Sequence, residues 1–214
     1  MHDAVNLILV LVMLVNVYLV GTDRLKAAIQ IVAVQGALLG FLPALIPGHF
    51  SLEAMELALV FIVTKGIAMP VLLSRALRDL SVTRDIEPQL GFSGSMLTLA
   101  IGTGAGLAMY SELPLLAIHR SSLIVPTALS TALAGVLLLV TRRKAITQVL
   151  GFLSLENGIF AFGLLLLHAV PTLVEVAVLL DLFACVFVMG IIMNQVKRTF
   201  SSLDTYNLSS LREQ

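Results

Sequence analysis

The chain has no tryptophan, a single cysteine and only 12% charged residues among 214 positions. Each shortage excludes something. The lone Cys185 cannot close an internal disulfide, and it reads as a packing residue inside an apolar run. His49, His119 and His168 lie far apart at expected segment ends, so they read as interfacial polar residues rather than a metal cage. An ordinary soluble domain is roughly 25% charged, and this chain has too little charge to solvate such a surface. In its place stand 58% hydrophobic residues and a mean hydropathy of +1.02. The net charge of zero hides how charge is distributed and says nothing about nucleic acid. The short Arg/Lys clusters beside segment ends read as topological determinants or lipid contacts, not as a nucleic-acid surface. The connecting segments are short, and even 75–90 has no apolar core of its own. That leaves no room for a nucleotide-binding fold or an iron–sulfur ligand set. The run Gly102-Thr103-Gly104-Ala105-Gly106 has the look of a phosphate loop but lies inside an apolar segment and follows no strand. Gly102 and Gly106 instead give the four-residue spacing that lets helices approach closely.

A hydrocarbon layer of ~30 Å takes about 20 apolar residues as a helix. Seven segments qualify, with approximate limits Ala4–Gly21, Ala27–Ile46, Leu52–Ser74, Gly91–Tyr110, Leu123–Val140, Ala145–His168 and Thr172–Gln195. Lipid cannot satisfy backbone polar groups, and continuous apolarity excludes the alternation of a barrel. The expected fold is therefore all-α: a polytopic membrane helical bundle in contact with the lipid bilayer. Pro43 and Pro47 punctuate the end of the second segment, Pro171 starts the last, and Pro70 predicts a kink or local opening just after Lys65. The first segment lacks a basic leader and a small-residue cleavage site, and reads as a retained helix.

Eleven of the thirteen basic residues collect at one set of segment ends: Arg24, Lys26, Arg75, Arg78, Arg84, Arg142, Arg143, Lys144, Lys197, Arg198 and Arg212. Arg120 is alone at the opposite ends, and Lys65 lies within a segment. The positive-inside rule then predicts an outer N-terminus, a cytoplasmic C-terminus and an odd number of crossings.

Ionisable residues at membrane depth carry the functional signal. A charge at the centre of a spanning helix costs ~2.5–3.5 kcal/mol on insertion scales, and such residues usually mark ion or proton routes. Glu156 lies about 17 Å into the sixth segment at ~1.5 Å per residue. Asp181 lies at comparable depth in the seventh. A very short turn, Ala169-Val170-Pro171, joins these segments, so the two acids share a level, though depth alone does not make them face each other. Lys65 supplies a cation at similar depth in the third; it either couples to a buried acid or anchors to a carbonyl. Asn157, Ser154, Gln30 and Gln35 are supporting polar residues that could bond between helices or hold water. Glu175 lies nearer the outer surface and on a different helix face from Asp181. Gly151, Ser154, Gly158 and Ala161 line one side of the sixth segment and predict close protein contacts.

The sequence resembles known families on these residues. Its last three segments are similar to the K-type subunit of respiratory complex I and the small subunit of Mrp-type cation/proton antiporters, with an outer N-terminus and an acid midway along each of the last two helices. Over nearly the whole chain it resembles hydrogenase-4 component E. That resemblance rests on Val63-Thr64-Lys65, Val149-Leu150-Gly151-Phe152, Leu155-Glu156-Asn157-Gly158, Leu173-Val174-Glu175-Val176, Asp181 and Leu203-Asp204-Thr205-Tyr206-Asn207-Leu208. Asp181 stands where the K-type subunit has a glutamate. Lys65 belongs to the extra N-terminal helices, for which that subunit has no counterpart. The resemblance implies a four-helix membrane region over 1–120 and a three-helix K-type module with a cytoplasmic tail over 121–214. It also implies a non-catalytic subunit in the cytoplasmic membrane of a bacterium or archaeon, beside antiporter-like and quinone- or hydrogenase-linked membrane subunits. Iron–sulfur and nickel–iron cofactors would reside in those partners and none in this chain.

The mechanistic expectation is that Glu156 and Asp181 exchange protons through intermittent water, with Lys65 and neighbouring subunits biasing their charge, in response to redox chemistry in the partner subunits. Two other readings stand beside it. A self-contained secondary transporter would show internal repeats and interrupted helices around a central site, and a structural anchor would use its acids only as helix contacts. Purification from native membranes separates a carrier with bound solute from a multi-subunit assembly.

Overall fold

The computed structural model describes residues 2–45, 52–79, 91–110, 123–142 and 144–165, together with Gly190. Its elements are α1 (His2–Gly21), α2 (Leu25–Gly40), the short α3 (Leu42–Leu45), α4 (Leu52–Phe61), a π-helical segment (Ile62–Ala68), α5 (Met69–Asp79), α6 (Phe92–Tyr110), α7 (Ile124–Thr141) and α8 (Ala145–Gly163). Among the described residues six helical stretches are long and apolar enough to cross a membrane: Asp3–Gly21, Leu25–Leu45, Ala58–Arg75, Phe92–Met109, Ile124–Thr141 and Ile146–Gly163. The expected seventh segment, apart from Gly190, lies outside the described residues, as does the tail after it.

The helices form antiparallel hairpins, α1 with α2 and α7 with α8, and α7 packs on α1, α6 and α8 together. Lipid tails are as apolar as leucine, so close approach and polar contacts, rather than exclusion of water, hold such helices together. Glycine supplies the approach. A Cβ on Gly135 would collide with the backbone nitrogen of Leu155 and come within 2.6 Å of the Gly151 carbonyl; one on Gly158 would come within 2.5 Å of the Ala132 nitrogen. The small-residue side of α8 is thus occupied within the chain, by α7. Gly102 and Gly106 serve the α6–α7 contact, where added Cβ atoms would collide with Leu133 and come within 3.2 Å of the Pro126 Cα. Backbone cannot give way as a side-chain end can, so Gly135→Ala is expected to part α7 from α8 and destabilise the subunit by ~1–3 kcal/mol. The check is its content in solubilised membranes after mild heating, and wild-type recovery would refute the contact.

Two apolar clusters fill the bundle. One gathers Leu19, Ile29, Leu73, Leu138 and Leu150 near the basic ends; the other gathers Leu9, Leu39, Ile124, Ala161 and Leu164 near the opposite ends. Between them four helices carry buried polar side chains: Asn16 on α1, Gln35 on α2, Ser130 and Thr131 on α7, and Ser154, Glu156 and Asn157 on α8. The bundle therefore has a polar waist at mid-depth. Nearer the basic ends, the buried Arg142 closes α7 onto α1 by donating from Nη2 to the carbonyls of Val20 and Thr22, each at 3.3 Å. A cation at a helix C-terminus also complements its dipole.

The third spanning stretch is not one uniform helix. Pro70 has no N–H to give to a preceding carbonyl. The turns before it widen into the π-helical segment, with the Met69 N–H reaching back to the Thr64 carbonyl. Such widened turns recur at functional sites because they redirect a side chain without ending the helix. Here Lys65 is the side chain redirected inward.

Candidate functional site

Lys65 and Glu156 meet at the waist. Lys65 is 6% exposed, Glu156 is 3% exposed, and the ammonium nitrogen stands 3.7 Å from Glu156 Oε1. The lysine does not snorkel toward an end of the bundle. A charge-assisted N–H···O bond is typically ~2.7–2.9 Å, so the pair attracts electrostatically without closing to a short bond. The same ammonium donates to Asn157 Oδ1 at 3.0 Å. It also lies 5.1 Å from the Phe61 ring centroid and 6.0 Å from that of Phe160. Those rings stack at 4.0 Å with 26° between their planes. Aromatic faces attract a desolvated cation, so Lys65 is held by a carboxylate, an amide oxygen and a pair of rings.

Burying this pair does not pay for itself as stability. The effective desolvation penalty is several kcal/mol per ion, and isosteric apolar replacements are often neutral or better. A buried pair in a membrane protein is therefore better explained by function than by packing.

Polar bonds continue from the pair across the bundle. Asn157 Nδ2 donates to Gln35 Oε1 at 2.8 Å. Gln35 Nε2 donates to Asn16 Oδ1 and, at 3.3 Å, to Ser154 Oγ. Asn16 Nδ2 donates to Thr131 Oγ1 at 2.9 Å and Ser130 Oγ at 3.3 Å, and Thr103 Oγ1 reaches Ser130 Oγ at 3.0 Å. A small cleft lined by Ile29, Val32, Met69, Pro70, Lys65 and Asn157 opens beside the lysine. It has room for about one water molecule, and Lys65 and Asn157 supply the polar partners a water needs.

Gly36 makes the lysine's position available. A Cβ there would stand 2.7 Å from Lys65 Cβ. The clash falls on the stem of the lysine, next to its backbone, where movement is costly. Gly36→Ala is expected to push Lys65 off Asn157 and Glu156 and to lower coupled activity of the assembled complex severalfold. Subunit content measured alongside separates this from unfolding, and unchanged activity would show that the lysine's placement is unimportant.

Of the residues singled out in the sequence, the structure brings Lys65, Glu156, Asn157, Gln35 and Ser154 together. Gln30 is exposed; five residues from Gln35, it points about 140° away around the helix. Asp181 and Glu175 lie outside the described residues. Asn16, Phe61, Phe160 and Gly36 belong to the site without having been singled out. Asn16 had a signal, as the one amide in the apolar middle of α1, and Phe61 stands one helical turn before Lys65. Nothing local marked Gly36. Among the described residues no group of three or more His, Cys, Asp or Glu side chains could hold a metal ion.

No protein-family profile matches the chain, and no solved structure matches it. Curated proteins similar to the chain over nearly their full lengths include the following. An uncharacterized protein of Mycobacterium tuberculosis is 29% identical over 202 residues, covering 94% of this chain and 92% of that protein. Hydrogenase-4 component E of Escherichia coli is 27% identical over 214 residues, covering 97% of each.

Proposed function

Because the chain is a homologue of hydrogenase-4 component E over nearly its whole length, we propose that it is an integral membrane subunit of an energy-converting hydrogenase or complex I-like oxidoreductase. Its task there is to contribute mid-membrane ionisable groups to proton or cation translocation driven by redox chemistry in partner subunits. The observation that carries this reading is the buried Lys65–Glu156 pair at the polar waist. The pair is poised: the ammonium stabilises a carboxylate, desolvation favours a neutral acid, and a modest change of field from a neighbouring subunit tips the balance. Glu156 is the proton-carrying group, Lys65 biases its charge, and Asp181 is the second acid of the route. Asn157 positions the lysine by accepting its hydrogen bond.

In this reading the region 1–120 supplies Lys65 and the K-type module 121–214 supplies the acids, so the pair joins the two halves. Antiporter-like and quinone- or hydrogenase-linked membrane subunits are the neighbours, and they hold the iron–sulfur and nickel–iron groups. Purification from native membranes tests the membership: large redox subunits are expected to copurify, and a stable solitary carrier with bound solute would contradict it.

The same reading places the chain in a bacterial or archaeal cytoplasmic membrane with seven crossings, the N-terminus outside and the C-terminus inside, from the clustering of basic residues. An Arg143→Cys variant, with Cys185 replaced by Ser, is expected to react with an impermeant thiol reagent only in inside-out vesicles. Labelling confined to right-side-out vesicles would reverse the topology.

A further inference from the structure

The amide chain at the waist has a direction, and both of its ends impose it. An ammonium can only donate, so the Lys65 bond fixes the Asn157 oxygen toward the lysine and its nitrogen toward Gln35. Gln35 must then accept from Asn157 and donate onward to Asn16. At the far end the Thr131 hydroxyl gives its single proton to the Thr127 carbonyl at 2.7 Å, so it can only accept from Asn16. The three carboxamides consequently stand head to tail, each with its negative oxygen end toward Lys65. Asn16, Gln35 and Asn157 are all buried, and in low dielectric such a chain polarises cooperatively.

We infer that Asn16 and Gln35 are positioning residues for Lys65, acting through Asn157. The ammonium lies at 3.0 Å from the amide and 3.7 Å from the carboxylate, so the ladder wins the closer contact and holds the lysine off Glu156. It thereby sets the length of the ion pair from a point on α1 and α7 that touches neither charge. Displacement of α1 against α7 is transmitted to the pair along three aligned amides. This rests on the Lys65–Glu156 reading given above, but its test does not depend on proton movement.

A double-mutant cycle on the intact complex decides it. The readout is the half-life of the subunit in the solubilised complex at a fixed elevated temperature. Interhelical hydrogen bonds in membranes are individually modest, so Gln35→Leu and Lys65→Met are each expected to shorten the half-life about three- to tenfold. Sites that share no partner have additive effects; sites linked through one do not. The Gln35→Leu/Lys65→Met double variant is therefore expected to lose little more than the worse single variant, and this coupling is expected to vanish in an Asn157→Leu background. Gln35→Glu, whose protonated carboxyl can still accept from Asn157 and donate to Asn16, is expected to recover most of the half-life. If Gln35→Leu fails to assemble, Asn16→Val reads the same coupling from the next amide. Single effects that simply multiply, or coupling that survives loss of Asn157, would overturn the inference. A coupled cycle alongside normal proton movement in Glu156→Gln complexes would instead leave the ladder standing and remove the proton role.

Discussion

Lys65→Met complexes are expected to assemble, to keep the redox activity of the partner subunits with an artificial acceptor, and to lose most coupled proton movement. The reason lies in how the remaining acid responds. A carboxylate stranded in a buried site costs ~3–5 kcal/mol, but a carboxyl that takes up a proton costs only the ~1–3 kcal/mol of an imperfectly bonded polar group. The cheaper outcome prevails, so the variant survives with Glu156 neutral and unable to switch. Combining Lys65→Met with Glu156→Gln removes both charges and is expected to destabilise the subunit by less than the sum of the two single effects. Thermal stability of the four solubilised complexes checks this. Additive losses would mean that the 3.7 Å approach of the two side chains has no energetic content.

At Glu156 itself the two roles open to a buried acid predict opposite orders of failure. Gln keeps the size of Glu and much of its hydrogen bonding but cannot ionise, whereas Ala removes the buried polar contacts as well. If the carboxyl carries protons, Glu156→Gln is the damaging change for coupling and leaves assembly intact. If the carboxyl is only a helix contact, Glu156→Gln is nearly silent, and Glu156→Ala damages assembly by ~1–3 kcal/mol. Subunit content and proton movement measured on both variants separate the cases.

Much of this was legible in the sequence because membrane insertion is governed by local composition. Runs of about 20 apolar residues predicted spanning helices, and the described residues contain spanning stretches in six of the expected segments, with Ala58–Arg75 starting later than the expected Leu52 and Ile146–Gly163 ending before the expected His168. Charge at membrane depth is rare enough that Glu156 and Lys65 stood out without any partner being known. Their meeting did not stand out, because they lie 91 positions apart and it is only the packing of α8 and the π-helical segment on α2 that lets the two side chains meet. Pro70 predicted an opening after Lys65, but not that the turns before it would widen to direct the lysine inward. Asn16 is the one amide in the apolar middle of its helix, but the sequence alone does not show what it serves, because its role depends on Gln35 and Thr131 lying opposite. Gly36 was illegible for the same reason: its role is to leave room for the stem of Lys65 on another helix. Residues whose job is to make space reveal themselves only once the neighbour is in place.

The most direct test of the account is the number of protons moved per electron in sealed, inside-out vesicles carrying fully assembled Glu156→Gln complexes, with an uncoupler-treated sample as the zero. The buried pair as a proton-coupling site predicts a ratio reduced to a small fraction of wild type while electron transfer continues. A wild-type ratio in those vesicles would contradict it and leave Glu156 as a polar contact between helices.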